Sequence, residues 1–182
     1  YLANDDVHQR MKKGDWQRAH LFRALDLRTE KQWNLPLVYP LVFNMEVKNP
    51  SAGYEYSYDF NHKANVLACS FCGYDSIMVT DDMKNVRWYN GKSRYLKTLR
   101  PIVGESADGF EWIGKQQQSA EYWHFMYDKY RDVYYRFAKM PCELGPGEYP
   151  LDDPKAREFS VIVLDKDFNI IGETKFPGNK YF

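Results

Sequence analysis

The sequence has little cysteine, no excess of charge and no long apolar run. Three cysteines in 182 residues are too few, and odd in number, for a disulfide framework. Twenty-five basic side chains balance twenty-five acidic ones, so no global field draws in nucleic acid or an anionic membrane. No stretch approaches the ~20 apolar residues that cross a bilayer. The start, Tyr1-Leu-Ala-Asn-Asp-Asp6, lacks the basic and apolar regions of a signal peptide and has no initiator Met, as expected of a processed or truncated product. No Gly-x-Ser-x-Gly, Walker loop or dinucleotide fingerprint occurs, and Gly145-Pro-Gly147 lacks the Lys that cradling a phosphate needs. No cofactor is implied.

Metal chemistry has little to build on. The histidines, His8, His20, His62 and His124, share no ligand spacing. Cys69 and Cys72 form a Cys-x-x-Cys, but inside the apolar run Val66 to Gly73. Strand positions three apart point to opposite faces, so the thiols diverge and read as buried small hydrophobes. Cys142 has no partner by spacing.

What the chain does have is aromatic surface. Fifteen Tyr, eleven Phe and five Trp favour pleated, half-buried structure. A hairpin recurs four times, each an apolar run ending in Asp, a short polar turn and a second apolar run: Leu21 to Leu35, Ile77 to Tyr89, Phe125 to Phe137 and Val161 to Glu173. The Asp carboxylate can accept backbone N–H bonds two residues on and close the turn, so Asp26, Asp82, Asp128 and Asp165 read as turn formers. Their intervals, 56, 46 and 37 residues, bracket the roughly 40 to 50 residues of a four-stranded propeller blade. Tyr54 to Phe60 alternates with the period of a half-buried strand, and Asn65 to Cys72 makes the next one.

These patterns predict an all-β chain of antiparallel four-stranded blades. About three to three and a half are present in one partial domain, with units near 18–50, 54–98, 99–140 and 155–182. Asp108 to Trp123 has few β-branched residues and places Phe110, Ile113 and Gln117 on helical spacing, which predicts one short helical insertion. Residues 139–155, with four prolines, read as a long loop. A closed propeller has about four to eight blades, so part of a longer ring is expected.

Leu25 to Thr29 with Leu35 to Pro40, Asp75 to Thr80, Tyr127 to Arg136 and Phe159 to Asn169 resemble a family of uncharacterised extracytoplasmic lipoproteins of gut anaerobes. That family is a domain of unknown function with a six-bladed, TolB-like β-propeller. The resemblance runs from Trp16 to Phe182 and implies a chain about half the family's length. It also implies a periplasmic or cell-surface location and a lipid anchor in the full-length protein. It supplies no catalytic residues.

Arg87, Trp88, Tyr89 and Arg94, and Tyr122 with Trp123, offer aromatic faces and guanidinium forks suited to a glycan or protein surface; the same residues could instead pack between blades. The pairs Asp81-Asp82 and Asp152-Asp153 are adjacent, a poor arrangement for two carboxylates flanking a scissile bond. The expected function is a non-catalytic binding or scaffolding propeller with a protein or glycan partner and no nucleic-acid role. The alternatives are an extracytoplasmic hydrolase or lyase working at the propeller axis, and a truncated fragment without independent function.

Overall fold

The computed structural model describes residues 2–3, 19–40, 55–97, 99, 119–142 and 157–178. Within them the chain is all β, without a helix. Strands β1 (Leu2–Ala3), β2 (Phe22–Leu25) and β3 (Gln32–Asn34) form sheet 1 in the order β1-β2-β3. Sheet 2 contains β4 (Tyr56–Asn61), β5 (Val66–Phe71), β6 (Ser76–Thr80) and β7 (Arg87–Asn90). Sheet 3 contains β8 (Glu121–Asp128), β9 (Val133–Lys139), β10 (Phe159–Leu164) and β11 (Ile170–Phe176). Every pairing is antiparallel, and sheets 2 and 3 are meanders in which sequence neighbours are ladder neighbours.

The hairpins form because their turn residues satisfy backbone donors locally. Asp26 Oδ1 accepts the Arg28 N–H at 2.9 Å, and Asp128 Oδ1 accepts the Tyr130 and Arg131 N–H groups at 2.8 and 3.1 Å. Asp82 Oδ1 accepts Lys84 and Asn85 at 2.9 and 2.7 Å, and Asp165 Oδ1 accepts Asp167 and Asn169 at 2.9 and 2.8 Å. Asn61 does the same in the β4–β5 turn, where its Oδ1 accepts Lys63 and Ala64 at 3.0 and 3.1 Å. Each of these five turns passes through a left-handed residue, Glu30, Asn65, Met83, Asp132 or Phe168, with φ of 56°, 56°, 57°, 57° and 64°. Asn and Asp tolerate that conformation better than most side chains.

The recurrence differs from the sequence expectation in one respect. Asp26, Asp82 and Asp165 close β2–β3, β6–β7 and β10–β11, whereas Asp128 closes β8–β9, the counterpart of the Asn61 turn. The repeat therefore runs from Asp82 to Asp165, longer than the spacing of neighbouring Asp anchors. The expected units 99–140 and 155–182 join as one sheet, because β9 pairs with β10 from Tyr134↔Leu164 to Lys139↔Phe159. The described residues hold three sheets. The expected helix also changes: Glu121, Tyr122 and Trp123 open β8, with Glu121 and Tyr122 opposite Lys139 and Ala138. Ladder pairing outweighs a weak helical spacing there, and residues 108–118 lie outside the described residues.

Alternation along β5 shows how the sheets stack. Leu67, Cys69 and Phe71 face one way and join Leu21, Phe22, Leu35, Leu37, Tyr39 and Met78 in a core between sheets 1 and 2. Ala68 faces the other way and joins Ile77, Val79, Phe125, Tyr134, Ala138, Ile162 and Leu164 between sheets 2 and 3. The two cores are joined through sheet 2, which is covered on both sides. Each fully buried Leu or Ile contributes about 1.5–3 kcal/mol. Phe168, held at φ 64°, stacks its ring on Tyr134 at 4.6 Å and lies 4.9 Å from Tyr89.

Candidate functional site

The β4–β5 and β8–β9 turns meet at one end of the stack, where Lys63 Nζ donates to the Lys129 carbonyl at 2.8 Å. The opposite end, where the chain leaves β5, β7 and β9, collects most of the buried polar groups. Three clusters stand there.

Arg136 of β9 is fully buried. Its Nε donates to Ser70 Oγ at 2.8 Å. Nη1 donates to the Asp75 and Gly91 carbonyls at 2.5 and 2.8 Å. Nη2 donates to Tyr74 at 2.6 Å and Phe71 at 3.4 Å. The guanidinium lies 3.3 Å from the centre of the Tyr122 ring, and Tyr122 Oη donates to Asp75 Oδ1 at 2.7 Å. Burial lowers the Arg136 pKa to about 10. A fork of five donors suits a site ringed by carbonyls. Gly91 is required beside it, since a Cβ there would stand 2.8 Å from Arg136 Nη1 and 2.7 Å from Ile77 Cδ1.

A second cluster surrounds Glu121 at the start of β8. Oε1 accepts Arg157 Nη1 at 2.9 Å and lies 3.9 Å from Lys139 Nζ; Oε2 faces the Cys72 thiol at 3.8 Å. Arg157 also donates to the carbonyls of Met140, at 2.8 Å, and Ser119. Burial pushes the Cys72 thiol up to about 12, with the Glu121 charge adding to it. Burial alone drives Cys69 further in the same direction, against the Arg136 charge. Neither cysteine supplies a thiolate at neutral pH. Burial lowers the Lys139 and Arg157 pKa values, and Glu121 opposes both shifts.

The third cluster ties the segment after β7 to sheet 3. Glu173 Oε1 accepts Ser93 Oγ at 2.5 Å and Ser160 Oγ at 2.6 Å, and Oε2 accepts the Arg94 N–H at 2.9 Å. Ser93 N–H donates to Tyr122 Oη at 3.0 Å. All three clusters hold sheet 3 to its neighbour or to its own crossover.

The six residues singled out from the sequence separate into two sets. Tyr122 is buried beneath Arg136, and Tyr89 is half-buried against Phe168; both pack between sheets, where flat rings fill the space. Arg87, Trp88, Arg94 and Trp123 are exposed. Arg87 pairs with Asp81. Trp88, 44% exposed, lies 6.3 Å from Phe71 and edge-on to Tyr74 at 5.6 Å. Trp123, 46% exposed, carries Lys139 Nζ 3.5 Å from its ring centre. Trp88 sits opposite Met78, on the side facing sheet 1, so it and Trp123 make no common patch. Sequence reasoning did not find Trp33, 42% exposed. It pairs with Ala24, which packs on the core between sheets 1 and 2, as Trp88 pairs with Met78 of that core. Arg136, Glu121 and Arg157 carried no sequence signal either, because their partners lie at long range.

Of the remaining candidates, Asp81 pairs with Arg87 while Asp82 closes a turn, and Asp152-Asp153 lies outside the described residues. His20 Nδ1 donates to the Leu35 carbonyl at 2.6 Å. His62 and His124 pack on Phe60 and Trp123, and His8 lies outside the described residues. Among the described residues no three His, Cys, Asp or Glu side chains converge to hold a metal ion, and no helix is long and apolar enough to cross a membrane.

Residues 7–175 match the family described as Domain of unknown function (DUF4221). A solved crystal structure of a DUF4221 member from Bacteroides vulgatus is similar to this chain at 56% identity and a TM-score of 0.80. The similarity covers 92% of this chain and 46% of that one, so the chain spans about half the relative's length. Comparison with curated proteins gives no match.

Proposed function

We propose, from the premise that this chain belongs to the DUF4221 family, that it is a non-catalytic binding or scaffolding part of a β-propeller. Its partner is a protein or glycan met outside the cytoplasm. The observation that carries this reading is a division of labour among the side chains. The buried ionisable groups Arg136, Glu121, Arg157 and Glu173 are engaged in bonds that hold sheets and crossovers together, while Trp33 of β3 and Trp88 of β7 stand about half exposed. Exposed tryptophans on a rigid sheet are what carbohydrate rings and protein hot spots use.

Support for the propeller comes from the repetition of four-stranded antiparallel meanders and from β4 packing against β8, first strand on first strand. That is how blades meet around a central channel. Three sheets in a chain spanning 46% of its relative suit a ring of six. The extracytoplasmic placement and the lipid anchor rest on the resemblance noted from the sequence, and fractionation of cells expressing the full-length gene tests them.

The test of function is a glycan array and a pull-down with the full-length protein, repeated with Trp33→Ala and Trp88→Ala. The expected result is a specific ligand whose affinity falls about tenfold or more in each variant. A ligand indifferent to both changes, or none at all, refutes the proposal.

A further inference from the structure

The chain leaves the ladder after β7, and Gly91 to Lys97 take an irregular course. Every amide from Gly91 to Tyr95 nevertheless has an acceptor. Gly91 donates to the Asp75 carbonyl at 3.1 Å, Lys92 to Asn90 Oδ1 at 3.1 Å and Ser93 to Tyr122 Oη at 3.0 Å. Arg94 donates to Glu173 Oε2 at 2.9 Å and Tyr95 to Ser93 Oγ at 3.1 Å. All but the first of these acceptors are side-chain oxygens, so the segment is fixed without a strand partner. Ser93 and Leu96, 0% and 3% exposed, pin it to the stack.

What this fixed course presents is positive charge, since Lys92, Arg94 and Lys97 are exposed. The carboxylates beside them are engaged inward. Both Glu173 oxygens accept bonds, and its side chain is 4% exposed. Asp75 Oδ1 accepts Tyr122 Oη, while Oδ2 lies 3.8 Å from Lys92 Nζ. Arg94 is held in place: Nη2 donates to Tyr95 Oη at 2.9 Å and to the Glu173 carbonyl at 2.5 Å, and the guanidinium lies 4.9 Å from the Tyr95 ring centre. Among the described residues its Nη1 makes no bond and no carboxylate pairs with Lys97. The free edge of the guanidinium is therefore available as a fork for an incoming anion.

The composition of this surface selects the kind of partner. Leu96 is turned inward, which leaves Tyr95, 37% exposed, as the segment's apolar contribution beside Lys92, Arg94 and Lys97. Protein interfaces deplete lysine at their centres and gather apolar anchors there. A hydrophilic polyanion needs no such anchor, because fixed cations and a guanidinium fork for carboxylate or sulfate oxygens suffice. We infer that Lys92, Arg94, Tyr95 and Lys97 form a recognition surface for an acidic polysaccharide, a chain bearing carboxylate or sulfate groups. The inference rests on the binding reading above and deepens it, assigning the partner's chemical class through residues other than Trp33 and Trp88.

The test measures binding of the full-length protein to immobilised heparin, which is sulfated, and polygalacturonate, which is carboxylated, with neutral dextran as the reference. The protein should bind one or both anionic chains and not dextran, and its dissociation constant should rise about tenfold between ~50 and ~200 mM salt. The combined variant Lys92→Gln, Arg94→Gln, Lys97→Gln should weaken binding by about tenfold or more and flatten the salt dependence. Lys84→Gln with Lys166→Gln, in the β6–β7 and β10–β11 turns at the opposite end of the stack, should leave binding unchanged. If Arg94→Gln impairs folding, Lys92→Gln with Lys97→Gln carries the same comparison at a loss of about threefold. Equal retention on dextran, an equal loss in the turn variant, or no binding at all overturns the inference. So does duplex DNA or polyglutamate bound more tightly than either glycan, which would assign the cations to another polyanion. A ligand lost with Trp33→Ala and Trp88→Ala but indifferent to the cation variants sinks this surface alone; the converse sinks the tryptophan site alone.

Discussion

Replacing Arg136 by Met should destabilise the protein by about 3–5 kcal/mol, a large part of the ~5–15 kcal/mol that holds a domain folded. Methionine nearly matches the side chain in length but removes every donor. It strands the carbonyls of Phe71, Tyr74, Asp75 and Gly91 and the Ser70 hydroxyl. Each buried acceptor left unsatisfied costs about 1–3 kcal/mol. Against this, the substitution relieves a desolvated cation, whose burial lowers its pKa to about 10, but the stranded acceptors outweigh that relief. Arg136→Lys should fall between, because three donors on one nitrogen cannot span four carbonyls. Urea unfolding followed by tryptophan fluorescence measures the order: wild type, Lys, Met. The sign of the pH effect is also fixed. The folded pKa is depressed, so the unfolded chain binds the extra proton only above about pH 10, and the wild-type stability from this group rises with pH only there. The difference between wild type and the Met variant should therefore be flat from about pH 6 to 9. A Met variant within about 1 kcal/mol of wild type, or more stable than it, would refute the view that the acceptor ring dominates.

The remaining predictions concern the turns and the thiols. Asn61→Ala removes the acceptor of the Lys63 and Ala64 N–H groups and the donor to Tyr134 Oη at 3.2 Å, and should cost about 1–3 kcal/mol in thermal or urea unfolding. Hydrogen bonds to the turn carboxylates hold Asp26, Asp82, Asp128 and Asp165 below the usual carboxylate range. Their contribution is thus complete above about pH 4 and is lost as pH falls through the depressed values. An acid titration of melting temperature should show the loss, with a shallower fall in the Asp82→Asn variant. Iodoacetamide at about pH 8 should label half-buried Cys142 and leave Cys69 and Cys72 unmodified until unfolding; mass spectrometry of the peptides reads this, and rapid labelling of Cys72 in the folded protein would contradict the assigned burial.

The sequence by itself determined the class of structure and its local joints. Alternation in Tyr54 to Phe60 and the apolar runs ending in Asp are short-range signals, because the strand period and the Asx turn act within a few residues. The strands and the turn bonds stand where those signals lie. The opposed faces of Cys69 and Cys72 were legible for the same reason. Only the tertiary structure decided how hairpins group into sheets. Asp82 and Asp128 look alike in sequence but close different hairpins, since the choice of ladder partner depends on strands far along the chain. It likewise decided that Tyr122 is buried and Tyr89 half-buried while Trp33 and Trp88 stay about half exposed. The Arg136 and Glu121 clusters were invisible beforehand: a charged side chain in a strand reads as solvent-facing until a ring of distant carbonyls or an opposite charge makes its burial tolerable.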